Sequence, residues 1–471
     1  MSVKNVINES LSTPVKEQVD VLVCGGGPAG CIAALAAARA KLSVRIVEPF
    51  GFLGGVITTA GVSGIGGWQH DLDGRPLISG MVEEIIRAIY LRSGNDPAAL
   101  EYIFRQRSER PSYREGGLGC YWLGINPECC KLVLDEYMEK AGVKTLFMAQ
   151  AVRPVMKGNR VIGVAVESKS GREIILAKVV IDATGDGDIA ARAGAPFDIG
   201  RPSDGVCQPM SQIFLVDNCT PPDLHYDQSA EDPEPDPLAK NRYRAAVALA
   251  RERGEITLNP NDILCAVTPL HQKSANLCTV NFTRVQKHSS INAEQLSNAL
   301  IQGRKQVAEG VSFMRKYVNG SREASLAVMY PHIGIRESRR ITGDYVLTGN
   351  DVRSGARFPD SIARGIYILD IHNADETGKP SELIYLDQPY DIPYRSLLPL
   401  GVEGILTAGR CISGDHLALA SYRIVSHCMA TGEAAGTAAA LSVNGSCTPR
   451  ELDFRKLRME LAKNGANTGC C

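Results

Sequence analysis

The chain has 471 residues, of which 44% are hydrophobic and 22% charged, and its formal net charge is -1. That balance fits a globular protein able to bury a large core in two domains, and it excludes a surface of overall basic character made for a polyanion. No apolar run reaches the length of a membrane span, so no membrane partner is expected.

Residues 1–18 mix Asn, Glu, Ser, Pro and Lys without a hydrophobic stretch, and read as a loose arm rather than a signal peptide. Fourteen cysteines are scattered without one C-x-x-C pair, which argues against thiolate zinc sites, iron–sulfur clusters and dithiol redox motifs. No metal site is expected, and unpaired thiols without a signal peptide fit a reducing cytoplasm.

The stretch Val19-Asp-Val-Leu-Val-Cys-Gly25-Gly-Gly-Pro-Ala-Gly30 predicts a buried strand, a tight turn and a helix running to Ala40. Gly25, Gly27 and Gly30 stand in the G-x-G-x-x-G spacing, with Pro28 and Ala29 between the last two. Gly25 permits the turn, Gly27 lets backbone approach a pyrophosphate, and Gly30 lets the helix pack close to the strand. The helix start offers unpaired N–H groups to a phosphate. The following strand, residues 43–48, ends in Glu48, eighteen residues after Gly30, where a carboxylate holds the ribose of a dinucleotide.

Residues 51–68 are dense in glycine, including Gly54 and Gly55, and read as a ligand cradle. His70 follows as a surface-loop histidine or a group facing the ligand. Residues 77–94 predict an amphipathic helix, residues 95–124 an exposed polar excursion, and Pro127–Ala141 a second helix. A meander is expected from Lys144–Val152, Arg160–Glu167 and Glu173–Leu176. A separate buried strand, residues 177–182, then ends in Ala183-Thr-Gly-Asp-Gly187. Gly185 to Ala190 mimics a second dinucleotide turn, but no βαβ unit with a terminal acid follows it.

From Gly194 to Pro399 the pattern changes to mixed strands, with helices at Leu238–Arg253 and Ala293–Tyr317 and a Pro-rich loop at 231–237. The strand, glycine turn and long helix (Arg423–Leu441) after residue 400 return to the first pattern, with Gly432 and Gly436 where the helix packs closely. The expected division is a 1–18 arm, a nucleotide-binding domain in two parts (19–193 and 400–445), an inserted α+β substrate or cap domain (194–399), and a 446–471 tail. The tail ends in Cys470 and Cys471. They read as a disordered end, with a mobile redox pair or a prenylated twin cysteine as alternatives.

Six stretches carry a family resemblance: Gly25–Gly30; Gly51–Gly55; Ala183–Gly187; Gly334-Ile-Arg-Glu-Ser-Arg-Arg-Ile-Thr-Gly343; Ile392-Pro-Tyr-Arg-Ser396; and Gly409–His416 with Gly432–Gly436. Over residues 19–442 the chain resembles the FAD-dependent oxidoreductases of the glutathione-reductase-type flavoproteins. It is most similar to the two-domain branch related to fumarate reductase and GidA-like proteins.

The resemblance implies an α/β fold: a Rossmann-type FAD-binding domain with a parallel sheet and β-meander, plus the inserted α+β domain. It implies non-covalent FAD. Gly25, Gly27, Pro28, Ala29, Gly30 and Glu48 would hold the ADP half. Gly54, Gly55 and Thr58 would lie along phosphates and flavin, Val152 near the adenine, and Gly185 and Asp186 over the nucleotide. Arg410 and Asp415 would sit at the pyrophosphate and ribityl chain, with Ser421, Tyr422 and Arg423 at the flavin's pyrimidine edge.

Such a cofactor supplies the electron chemistry, so the protein must supply position and proton handling. Arg336, Arg339, Arg340 and Arg395 are candidate clamps for an anionic or carbonyl-bearing small-molecule substrate. His332, Glu337 and His416 are candidate acid–base groups. The run from Arg336 to Arg340 equally suits a buried ion-pair network docking the two domains, and Arg395 a strand-end ion pair.

Three activities remain open at this point. They are hydride transfer with a polar metabolite, NAD(P)H- and oxygen-dependent monooxygenation, and a GidA-like RNA-modifying role against which the near-zero charge counts. The substrate, the electron partner and the oligomeric state, a homo-oligomer included, are not legible.

Overall fold

The computed structural model describes residues 7–68, 76–98, 100–101, 121–220, 244–257, 266–269, 276–375 and 381–469. His70, the Pro-rich loop at 231–237 and Cys470–Cys471 lie outside them.

Strand β1 (Val15–Cys24) carries four wholly buried residues, Val21 to Cys24, and runs into helix α1 (Pro28–Arg39). It starts earlier than the sequence pattern indicates: Val15 to Gln18, expected to be loose arm, pair with residues 174–176. Helix α1 is buried from Ala29 to Ala38 and meets solvent at Arg39, which pairs with Glu84 at 2.7 Å. Strand β2 (Val44–Glu48) returns parallel to β1.

Short helix α2 (Val56–Thr59) and strand β3 (Gly64–Trp68) follow, then helix α3 (Met81–Arg92), which buries Met81, Val82, Ile85, Ile86 and Ile89 at helical spacing. Strand β4 (Tyr121–Gly124) pairs with β3. Helix α4 (Pro127–Ala141) begins on the Asn126 cap and stops at Gly142 in the left-handed conformation.

The strand expected at Lys144–Val152 is two strands. Met148 adopts φ 52 and separates β5 (Lys144–Phe147) from β6 (Ala149–Lys157). Strands β7 (Arg160–Ser168) and β8 (Gly171–Asp182) complete the meander. Strand β8 is continuous where the sequence pattern indicates two strands. It pairs with β1 over residues 174–182, with β7 over residues 171–176, and with β19 (Ile405–Thr407) over residues 180–182.

The seven-stranded sheet therefore has the order β5-β2-β1-β8-β7-β6, with β19 beside β8. Strands β5 and β6 lie at its two ends yet are joined by one residue, so the meander folds back over the parallel strands. Leu22, Val47, Val164 and Val180 fill the core between them.

Helix α5 (Asp188–Arg192) is five residues long, and the buried Asp182 carboxylate caps it by accepting from Ile189 N and Ala190 N at 2.8 Å. Strand β9 (Phe197–Ile199) leads to a four-stranded antiparallel sheet of β10 (Phe214–Asp217), β11 (Ala266–Pro269), β12 (Cys278–Asn281) and β13 (Ser325–Met329). Helix α6 (Arg244–Glu252) and the 25-residue helix α7 (Ala293–Tyr317) accompany it, and Phe214, Phe282, Val311 and Phe313 form the shared core.

Strand β14 (Arg339–Ile341) pairs with β9, and helix α8 (Gly349–Ser354) follows. Four short strands then form two pairs, β15 (Ser361–Gly365) with β18 (Tyr390–Pro393) and β16 (Leu369–His372) with β17 (Ser381–Ile384).

After β19, the long helix expected at Arg423–Leu441 is α10 (Val425–Asn444), and a short helix that the sequence pattern does not indicate, α9 (His416–Tyr422), precedes it. Helix α10 lies on α1, and Gly432 and Gly436 are the contact points. Residues 446–471, expected to be tail, include helix α11 (Phe454–Lys463), which is capped by Asp453 and buries Leu457 and Leu461. No helix among the described residues is long and apolar enough to cross a membrane.

Candidate active site

One continuous cavity of about 1010 Å³ opens at the carboxyl ends of β1, β8 and β19, where an open α/β sheet holds its ligands. Its lining runs from Glu48 and Gln150 at one end to Asp370 and His372 at the other.

The three glycines of the first turn have three different reasons to be glycine. Gly25 has φ 102, and a Cβ there would lie 2.4 Å from the Ala183 carbonyl oxygen. A Cβ on Gly30 would lie 1.9 Å from the Gly25 oxygen. Both are required by the fold itself. Gly27 has φ -72, and a Cβ there would meet nothing nearer than Gly55 Cα at 3.8 Å. Neither conformation nor packing demands glycine at 27. What its missing side chain leaves is space at the start of α1, whose N-cap makes no side-chain hydrogen bond and whose first turn has no acid. A diphosphate fits that cradle: exposed N–H groups, a helix dipole and room.

Pro28 and Ala29 line the same wall. Glu48, 4% exposed, accepts from Gly26 N at 2.6 Å and Phe50 N at 3.0 Å, which fixes its carboxylate toward the cavity. Burial raises its pKa despite these amides.

Gly55, Gly185 and Asp186 continue the wall. Arg410 ties them to the opposite side: its Nε donates to the Gly185 oxygen at 2.9 Å, and its other nitrogens engage Asp186 and the Ile335 carbonyl. Arg423 and the start of α10, which has no side-chain cap, also face the cavity.

His332 and Arg336 both line the cavity, His332 beside Phe50 with ring centroids 5.6 Å apart and Arg336 near Asp370 at the inner end. His332 Nδ1 lies 2.7 Å from the Ile333 carbonyl, which only accepts, so Nδ1 carries a proton and, in the neutral imidazole, Nε2 carries the lone pair. The run from Arg336 to Arg340 divides by position. Arg336 and Arg339 face the cavity, whereas Glu337 and Arg340 point away into a buried ion pair. Arg340 also donates to the Gly200 and Gly414 carbonyls. The run thus has two members on the cavity wall and two in a buried ion pair behind it.

Several expected site residues stand outside the lining. Glu337 is 1% exposed and accepts from His416 Nδ1 at 2.9 Å, so these two acid–base candidates satisfy each other away from the cavity. Arg395 is held by Asp360 at 2.9 Å and lies over the Tyr345 ring, the strand-end ion pair. Gly54 and Thr58 support the cradle from behind, with Thr58 Oγ1 donating to the Leu53 oxygen at 2.7 Å. Val152 gives its carbonyl to Arg192, and Ala151 and Gln150 line the cavity instead. Asp415 caps α9 through Ala418 N at 2.7 Å. Ser421 and Tyr422 are buried, bonded to Tyr390 at 2.8 Å and to the Ile412 carbonyl at 3.1 Å respectively.

Residues that the sequence pattern does not single out complete the inner end: Ser211, Arg284, Asp370 and His372. Ser211, Asp370 and His372 line it, and Arg284 stands behind Ser211. Burial pushes the His372 imidazole down to about 3, so it is neutral at ordinary pH.

The model of a family described as FAD dependent oxidoreductase matches residues 20–461. A 68-residue stretch is 40% identical to the bifunctional thioredoxin reductase/thioredoxin of Mycobacterium leprae (strain TN), covering 14% of this chain and 15% of that protein. A stretch of the same length is 38% identical to the thioredoxin reductase of Mycolicibacterium smegmatis, covering 14% and 22%. The chain thus spans less than a quarter of the length of either relative.

Among solved structures, a geranylgeranyl bacteriochlorophyll reductase-like protein from Thermoplasma acidophilum is 13% identical at TM-score 0.41, over 95% of this chain and 83% of that one. A p-nitrophenol 4-monooxygenase from Pseudomonas putida DLL-E4 is 10% identical at TM-score 0.42, over 97% and 90%.

Proposed function

The chain belongs to the FAD-dependent oxidoreductase family, and on that premise we propose that it transfers hydride between a small polar organic metabolite and non-covalently held FAD. The observation that carries this reading is the single cavity. Its volume stands at the top of the roughly 300–1,000 Å³ range of small-molecule and cofactor sites. It joins a diphosphate cradle at Gly27 to a polar inner end at Arg336, Asp370 and His372.

Bound FAD would supply the hydride chemistry. The chain's own residues do the rest. Gly27 and the α1 N-terminus would hold the diphosphate, and Glu48 would hold the ribose. Arg336 and Arg423 fix the substrate at the inner end. His332, with its lone pair on Nε2, takes the substrate proton when hydride leaves, and returns it in the reverse direction.

The ten free cysteines among the described residues support a reducing, cytoplasmic setting, which cell fractionation checks. The reading also expects no retention of tRNA in a gel shift.

The test is the visible spectrum of the purified protein before and after anaerobic additions. A flavin band left unchanged by NADH and NADPH, then bleached by one class of small polar metabolite, supports the reading. Rapid bleaching by NADPH with oxygen-dependent product hydroxylation overturns it in favour of monooxygenation.

A further inference from the structure

We propose that the inner end of the cavity is an anion subsite, built by Arg336 and Arg423 and backed by Arg284, that takes a carboxylate of the substrate. This deepens the hydride-transfer reading and rests on it for the word substrate.

Three segments far apart in sequence bring these arginines together. Arg284 follows β12, Arg336 precedes β14, and Arg423 sits in the break before α10. Arg284 and Arg336 are fixed by the same hydroxyl: Ser211 Oγ accepts from Arg284 Nη1 at 2.7 Å and from Arg336 Nη1 at 2.9 Å. Two guanidinium groups therefore share one hydroxyl oxygen. Like charges held in a poorly solvated cavity repel, and the arrangement is stable when an anion neutralises it.

The donors of Arg336 are only partly used. Its Nη1 also donates to the Pro209 carbonyl at 2.7 Å, while among the described residues its Nε and Nη2 make no hydrogen bond. Those two nitrogens form the edge of a guanidinium that grips a carboxylate through two parallel bonds. Arg423 points the same way: its Nη2 donates to the Asp370 carbonyl at 2.9 Å, and its buried Nε has no partner among the described residues.

The charge balance agrees. The charged groups acting on Arg336 are Arg284 and Arg423, of like sign, and Asp370, of opposite sign. Burial and the two neighbouring cations push the Arg336 guanidinium well below its ordinary pKa. The Asp370 carboxylate is shared with His372 Nε2 at 3.2 Å and Arg423 at 3.5 Å. His372 is neutral there and adds no cation of its own. The walls around the arginines are Ile213, Ile333 and Tyr367 with Thr279 and Asn281, which suits a short carbon skeleton bearing the acid.

The experiment titrates the FAD-loaded protein with acetate, malonate and succinate, and in parallel with acetamide, succinamide and inorganic phosphate. Flavin absorbance and the melting temperature are read together. The expected result is saturable perturbation of the flavin band and a rise in melting temperature with at least one carboxylate, and neither with the amides.

R336M should weaken that carboxylate about 10- to 100-fold, and R336K should recover part of the loss. The proposal is overturned if no carboxylate perturbs either readout. It is also overturned if the amides bind as well as the acids, if phosphate outcompetes every carboxylate, or if R336M binds unchanged. The wild-type comparison of acids with amides stands even where R336M fails to fold. FAD retention and NADPH bleaching are scored on the same spectra before any acid is added, so failure of the hydride-transfer reading is seen separately.

Discussion

Gly432 of α10 faces Ala29 of α1 so closely that a Cβ at 432 would lie 2.1 Å from the Ala29 carbonyl oxygen. Four residues on, Gly436 repeats the contact at 2.2 Å from the Ala33 oxygen. These crossings hold the first turn of α1, and with it the cradle at Gly27, against the cofactor end of α10. Gly432→Val has no space to relax into, because the obstructing atom is backbone. It should destabilise the protein by about 3 kcal/mol or more and lower FAD content with it. Chemical denaturation and the flavin absorbance per protein measure both effects.

Gly27→Ala and Gly30→Ala should behave differently although they share one motif. At 27 the backbone is ordinary and the added methyl enters open cavity, so the cofactor-free protein should keep its melting point while FAD binds about 10- to 100-fold more weakly. At 30 the methyl meets the Gly25 carbonyl, so the cofactor-free protein itself should lose about 1–3 kcal/mol. Equal loss of stability in both variants would contradict the assignment of Gly27 to the ligand.

Glu337→Gln removes one charge of a buried pair and leaves Arg340, itself 4% exposed, without its counter-ion. An unpaired buried charge costs about 3–5 kcal/mol, so this variant should unfold early. Its flavin spectrum at low temperature should match the wild type, because neither Glu337 nor its partner His416 lines the cavity. A specific loss of substrate reduction with unchanged stability would return both residues to the chemistry.

Stability should depend on pH with a sign set by three buried groups. His372 and His427 are held neutral in the native state, down to about 3, by burial. The unfolded chain protonates them below about 6.5, so stability is lost as pH falls from there, at about 1.4 kcal/mol per unit for each histidine.

Glu433 acts in the opposite direction. Burial raises its carboxyl to about 7, so the native state keeps a proton that the unfolded chain releases above about 4.5. Stability is lost as pH rises through that window. Glu433→Gln should therefore gain about 3 kcal/mol over wild type at pH 8 and little at pH 4, as urea titrations at the two values would show.

The nucleotide half was legible in the chain because its requirements are local. A strand, a turn needing left-handed backbone at Gly25, an uncharged helix and an acid at Glu48 all sit within thirty residues, and hydrophobic period and glycine spacing express them directly. The glycines of α10 were legible for the same reason. Met148 was not: a single non-glycine residue in a left-handed conformation carries no side-chain signature, yet it separates two strands at opposite ends of the sheet order. Helix α11 was hidden because only Leu457 and Leu461 anchor it.

The inner end of the cavity was decided by tertiary structure. Whether Glu337 or Arg336 faces the cavity depends on one step along a short extended run, and polarity is the same for both. Arg284, Asp370 and His372 each read as an isolated polar residue until the fold brings them beside Ser211 and Arg423. Local sequence determines which backbone cradles a diphosphate. Which charges share a cavity follows from how sheets and helices distant in sequence pack.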